Sequence, residues 1–334
     1  MPQQVRTRKH TTVRYSTNNK EVEDLSRGMI IRELYLKLAG AATTTAGNNT
    51  QANTQRGDEW GVVKRIDIIA NGTDNIRSIS GTALRWLNMF QYGAYPRVST
   101  TLGDGATANP AFASVLILPF WMPRAVRPID TALDTRELSD LTIEVTWGTF
   151  TDVNSAASAW TTEPSLTVYA LESFGIKGPF SQSRIFAIEE TITATNSQFK
   201  TRLPVGPLYR GFLINTTDAG VDEGDILNNL KLISGTTVFQ DLPSFVIKDV
   251  FKIRNELNRS FSGAAYDDLG IGDDNNFEGW YFLDLVTDGF MSEAVDTLGF
   301  SELELEADVT VGAGATKLTY WPIQVIPVRG GANG

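Results

Sequence analysis

The 334-residue chain has no cysteine and a single histidine, His10. The first absence excludes disulfides, thiolate nucleophiles and Cys-ligated metals, and suits folding in a reducing cytoplasm. The second leaves no imidazole on a folded scaffold for a Ser-His-Asp triad or a His-rich zinc site. The longest apolar run, near Val115–Trp121, falls far short of the roughly 20 residues of a membrane-spanning helix. Met1–Lys20 is polar and basic without an apolar core, so it does not read as a secretory signal. Neither common phosphate-binding glycine loop is present: Gly270-Ile271-Gly272 does not follow a strand and open a helix.

What the chain has is a repeat. Leu133–Val145 reads LDTRELSDLTIEV and Val295–Ala307 reads VDTLGFSELELEA, identical at five of thirteen positions at a constant offset of 162. The identities are Asp134/Asp296, Thr135/Thr297, Ser139/Ser301, Leu141/Leu303 and Glu144/Glu306. Neighbouring features recur in the same order. Ile66–Ile79 and Leu230–Leu242 are apolar strand patterns around the turns Asn71-Gly72 and Ser234-Gly235, a hairpin signal. Each is followed by one helical stretch. Ser80–Tyr92 places Leu84, Leu87 and Phe90 at helical spacing; Ser244–Leu257 places Val246, Val250, Ile253 and Leu257 on one face, with Ser244 as N-cap. Ser165–Leu171 then resembles Lys317–Ile323. A period of about half the chain implies a duplicated β-domain.

The map that follows is a basic arm at 1–24, a first domain at 25–174, a linker at 175–184, a second domain at 185–329 and a flexible end at 330–334. Many short strands with turn signals, and one helix per half, point to an all-β sandwich or jelly roll rather than a parallel α/β fold. Within the first domain, alternation through Ile31, Leu34, Leu36 and Leu38 reads as a strand, and Ala113–Trp121 as a strand of the fully buried kind. Gly40–Asp58, Gly93–Pro110 and Ser260–Gly279 read as long exposed loops. Charge is uneven. Residues 1–20 carry Arg6, Arg8, Lys9, Arg14 and Lys20 and no carboxylate, a charge of +5; the whole chain is −10, which leaves −15 for the rest. An acidic body disfavours general nucleic-acid binding, while the basic arm suits phosphates of nucleic acid or lipid, or serves only as a solubilising tail.

No catalytic, cofactor-binding or metal-binding residue stands out. The 39 carboxylates leave acid–base chemistry open, but no spacing selects a pair. Glu302, Glu304 and Glu306 alternate along one strand and read as a solvated face opposite Leu303 and Leu305. Asp267, Asp268, Asp273 and Asp274 crowd one loop without the spacing of a calcium site. Trp86, Trp121, Trp147, Trp280 and Trp321 lie in strand or helix patterns and read as core rather than as a sugar platform.

Tandem β-domains with a helix between strands, the strand-then-Asn-Gly-Thr segment Ile66–Ile76, the duplicated Asp-Thr segments and a basic N-terminus give the chain a family resemblance. It resembles the double jelly-roll major capsid proteins of tailless, membrane-containing icosahedral bacteriophages of the tectivirus, corticovirus and finnlakevirus kind. The likeness is architectural and covers roughly residues 25–329. It implies two tandem eight-stranded jelly rolls, each with a short helix, and no enzymatic activity or cofactor. It also implies a homotrimeric pseudo-hexagonal capsomer that meets neighbouring capsomers and minor capsid or penton proteins, in a virion assembled in the host cytoplasm. Arg6, Arg8, Lys9 and Arg14 would then face an internal membrane, or the genome, without sequence-specific reading of nucleic acid; the long loops would build outer towers. The alternative is a two-domain jelly-roll glycan-processing enzyme of the glycoamidase kind, or a carbohydrate-binding protein.

Overall fold

The alternating apolar runs fold as antiparallel strands in the computed structural model, which describes residues 4–50, 58–93, 99, 101–123, 125–178, 181–254 and 279–327. The chain forms two compact units, Met1–Ser183 with Val328–Gly334, and Arg184–Pro327.

The first unit contains β1 (Gln4–Arg14), β2 (Lys20–Asp24), β3 (Ile30–Thr43), β4 (Val63–Ala70), β5 (Asp74–Ile79), α1 (Gly81–Tyr92), β6 (Ala111–Pro119), β7 (Leu133–Asp134), β8 (Leu141–Trp147) and β9 (Ala159–Phe174). One sheet runs β1-β9-β3-β6 with β7 beside β3, the other β5-β4-β8-β2. Leu34, Leu36 and Leu38 of β3 stand in register with Ala170, Val168 and Leu166 of β9, and all six are buried. Ile66, Ile68, Ile143 and Val145 are buried on the other sheet. Each buried aliphatic side chain of this size stabilises by roughly 1.5–3 kcal/mol. The β4–β5 hairpin turns at Asn71 and Gly72, with φ of 51° and 74°. Two consecutive left-handed residues match the strand twist, and asparagine and glycine adopt them at least cost. Ser80 caps α1, its hydroxyl accepting from the Ala83 N–H at 3.1 Å, and left-handed Gly93 ends it.

The second unit contains β11 (Ile188–Ile192), β12 (Asn196–Arg202), β13 (Leu208–Asp218), β14 (Val221–Asp222), β15 (Leu227–Ser234), β16 (Thr237–Pro243), α2 (Ser244–Arg254), β17 (Trp280–Asp284), β18 (Val295–Asp296), β19 (Glu304–Val309) and β20 (Thr316–Pro327); β10 (Ser181–Ile185) precedes them. Its sheets are β11-β20-β13-β17, with β14 and β18 beside β13, and β12-β19-β15-β16. Tyr209, Phe212, Ile214, Leu230, Leu305 and Tyr320 belong to its core. Element by element, β1 to β9 answer to β11, β12, β13, β15, β16, β17, β18, β19 and β20, and α1 to α2. Two four-stranded sheets with this order are a jelly roll, so the chain is a double jelly roll.

The repeated segment is a clamp used twice. The Thr135 hydroxyl donates to the Met29 carbonyl at 2.6 Å and accepts from the Met29 N–H at 3.2 Å, just before β3. The Thr297 hydroxyl donates to the Pro207 carbonyl at 2.6 Å and accepts from the Gly206 N–H at 2.7 Å, just before β13. Asp134 and Asp296 each accept from the N–H two residues on, at 3.1 and 2.9 Å. The carbonyls of Leu141 and Leu303 each accept at 2.8 Å, from the N–H groups of Leu25 and Leu203.

Several sequence expectations are corrected. Residues 1–24 are not a separate arm: β1 pairs with β9 from Gln4↔Phe174 to Arg14↔Ser165, and β2 pairs with β8. Their polar composition hides this because Val13 is the one buried apolar residue along β1. The expected linker contains strand β10. β3 runs through Gly40 to Thr43, and Ala41, Ala42 and Asn49 are buried, so Gly40–Asp58 is not wholly an exposed loop. Gly40 is needed there, since an added Cβ would lie 2.8 Å from the Phe112 ring. β6 alternates, with Val115 exposed between buried Ser114 and Leu116, rather than burying both faces. In α2 the buried residues are Ile247 and Phe251, whereas Val250 and Ile253 of the expected apolar face are exposed. The expected continuation of that helix to Leu257, the loop at 260–278 and the end at 330–334 lie outside the described residues.

Candidate functional site

The sequence singled out Arg6, Arg8, Lys9 and Arg14, and all four lie on β1. Arg6 and Arg8 stand in register with Glu172 and Ala170 on the same face of the sheet as buried Val13. Glu172 is fully buried and gathers three donors. Arg6 Nε lies 2.7 Å from Oε2, Arg8 Nε 3.0 Å from Oε2, and His10 Nε2 2.9 Å from Oε1. Burial alone would raise the Glu172 carboxyl, but the bonds from Arg6, His10 and Arg8 outweigh it and hold the group below the usual range. The Arg6 and Arg8 side chains keep 40% and 37% of their surface exposed, and Arg6 lies over the Phe174 ring at 5.6 Å. Each arginine thus binds Glu172 through Nε and leaves part of its guanidinium toward solvent. Lys9 and Arg14 are exposed. Sequence reasoning found these cations but missed Glu172, 162 residues from His10, because only the β1–β9 register brings them together.

Several other covered acids accept hydrogen bonds or ion pairs within the sheets. Glu33 accepts from Trp121 Nε1 at 2.9 Å and from the Tyr92 hydroxyl at 3.3 Å. Burial and Glu33 push the Tyr35 hydroxyl up to about 12. Asp222 accepts from Trp280 Nε1 and Asn215 Nδ2, both at 2.9 Å. Asp58 pairs with Arg85 of α1, and burial keeps its carboxyl raised in spite of that cation. Glu59 is fully buried and neither oxygen has a well-formed hydrogen bond. Burial drives its carboxyl up, with the Ser114 hydroxyl partly offsetting. Glu304 and Glu306, read from the sequence as solvated, are largely covered: Lys200 Nζ lies 2.9 Å from Glu304, and Lys231 Nζ 3.3 Å from Glu306. Their register across β12, β19 and β15 makes an ion-pair ladder on the outer face. Trp147, Trp280 and Trp321 are buried, the last two stacked at 5.7 Å, as core residues. Among the described residues no group of three or more His, Asp or Glu side chains is placed to hold a metal ion.

No protein-family model and no curated protein matches the sequence. Solved structures do match the fold, end to end. The STIV major capsid protein, from Sulfolobus Turreted Icosahedral Virus, superposes with a TM-score of 0.70 at 11% identity, covering 97% of each chain. The major capsid protein P2 of bacteriophage PM2 gives 0.63 at 12% identity, covering 98% of this chain and 100% of that one. PBCV-1 VP54 gives 0.60 at 12% identity, covering 97% and 94%. The structural neighbours are double jelly-roll major capsid proteins of icosahedral viruses, and this chain has their fold.

Proposed function

We propose that the chain is a viral major capsid protein that assembles as a homotrimer and tiles an icosahedral shell. The observation that carries this reading is that both jelly rolls, in order and over nearly the whole chain, superpose on a capsid protein of almost the same extent. Duplication suits the role. Three copies of a two-unit chain present six similar units, near-sixfold packing from one gene product. Jelly rolls also leave few open strand edges, which matters at the concentrations of a shell. The neighbours of such a trimer are other capsomers and minor capsid or penton proteins, in a virion assembled in the host cytoplasm.

Arg6, Arg8, Lys9 and Arg14 are the cations that would meet an internal membrane or the genome. Exposed Lys9 and Arg14 suit anionic head groups, each contributing on the order of 1 kcal/mol near such a surface. Arg6 and Arg8 contribute less, because Glu172 already neutralises part of their charge. Light scattering on purified protein tests the assembly: three times the 36.6 kDa chain mass is expected, and a strict monomer at high concentration overturns it.

A further inference from the structure

Among the described residues β1 is an edge strand, paired in its sheet with β9 alone. N-terminal to Val13 its sheet-inward positions are no longer apolar, so beyond the backbone ladder to β9 its N-terminal half is held by the side-chain cluster around Glu172. The third donor of that cluster, His10, is the one imidazole in the chain and sits at the register break between Lys9 and Thr11. Although the residue's backbone is part-exposed, its side chain has no exposed surface, and Nδ1 is buried without a partner.

We propose that His10 and Glu172 form an acid-labile latch on β1, in which protonation of the imidazole loosens residues 4–10 from β9 while the rest of the unit stays folded. Protonation would place an N–H at Nδ1, where no acceptor waits, and an unsatisfied buried donor is costly. It would also put a third cation around one carboxylate. The charged groups facing His10 are Glu172 from β9 and Arg6 and Arg8 from β1. β2, packed beside β1, brings Glu23, already engaged by the Thr11 hydroxyl at 3.0 Å. β3, beyond β9, places apolar Ile31 level with Glu172.

In the latched strand burial holds the imidazole below its ordinary value, with Arg8 and Arg6 pushing the same way against the upward pull of Glu172. A detached strand in water has the ordinary value, about 6.5. As pH falls through that value the detached strand takes up a proton first, so acid favours release, by at most about tenfold at pH 5.5. Glu172, held below the usual carboxylate range, stays ionised there and is not the sensor.

Hydrogen exchange on the full chain at pH 7.5 and 5.5, corrected for intrinsic rates, tests the latch. Protection of the amides of residues 4–10 should fall at the lower pH, by up to about tenfold, while β3 keeps its own. His10→Gln, which can still donate to Glu172 but does not titrate, should retain protection at pH 5.5. Unchanged protection in the wild-type strand overturns the proposal, and so does an equal loss in the variant. The wild-type imidazole titration, followed by NMR, decides without any variant: a midpoint below 6.5 supports the latch, and one at or above 6.5 overturns it.

Discussion

The two jelly rolls share a strand order and a clamp, yet they bury corresponding elements differently. α1 is enclosed on nearly every side, down to Arg85, Asn88 and Gln91. Asn88 shows how: its side chain donates to the Leu84 carbonyl at 2.9 Å and the Ile117 carbonyl at 2.6 Å, and accepts from the Ile117 N–H at 2.7 Å, tying the helix to β6. The corresponding α2 buries Ile247 and Phe251 and leaves Phe245 and Ile253 64% and 65% exposed. The connections differ to match. Between β3 and β4 the first unit carries Asp58–Val62, whose Trp60 and Val62 are buried; between β13 and β15 the second carries only the short β14. Duplication thus preserves what sets strand order and leaves free what covers the helix.

The largest effect should come from breaking that contrast. Leu84→Ala in α1 should cost about 2–5 kcal/mol, the usual range for emptying a buried leucine site. Ile253→Ser in α2 should stay within about 0.5 kcal/mol, as exposed substitutions do. Urea unfolding of the two variants measures both, and equal costs would erase the distinction between the helices. Next in size is the clamp. Thr135→Val strands the Met29 N–H, while the Met29 carbonyl keeps its bond from the Thr135 N–H, and Thr297→Val strands the Gly206 N–H and the Pro207 carbonyl; each should cost about 1–3 kcal/mol. If the two sites are one structural position used twice, the two costs agree closely.

The repeat was legible in sequence because a clamp needs particular atoms: a carboxylate to close the turn and a hydroxyl that both donates and accepts. The Asn71-Gly72 turn and α1, through Ser80, Leu84, Leu87 and Phe90, were legible for similar local reasons. β1 was not, because Arg6, Arg8 and His10 face inward onto a carboxylate supplied by the far end of the unit. The buried face of α2 was misplaced because its apolar residues nearly encircle the helix, and periodicity alone does not choose between Val250/Ile253 and Ile247/Phe251. Glu304 and Glu306 looked solvated because their lysines come from β12 and β15.

The smallest effect separates the units by pH. Glu59 in the first unit has its carboxyl raised by burial. A raised carboxyl favours folding below its unfolded value, and that contribution is lost as pH rises toward the folded one. Glu59→Gln should therefore stabilise the protein more at pH 7 than at pH 4.5, read by thermal melts. An equal effect at both values would show that burial does not raise the Glu59 carboxyl.

The most direct test of the central claim is an image of the purified assembly by electron microscopy. The account predicts a particle of hexagonal outline about a threefold axis, built from six similar units in three chains. Particles with only two units, or with any symmetry other than threefold, would contradict it.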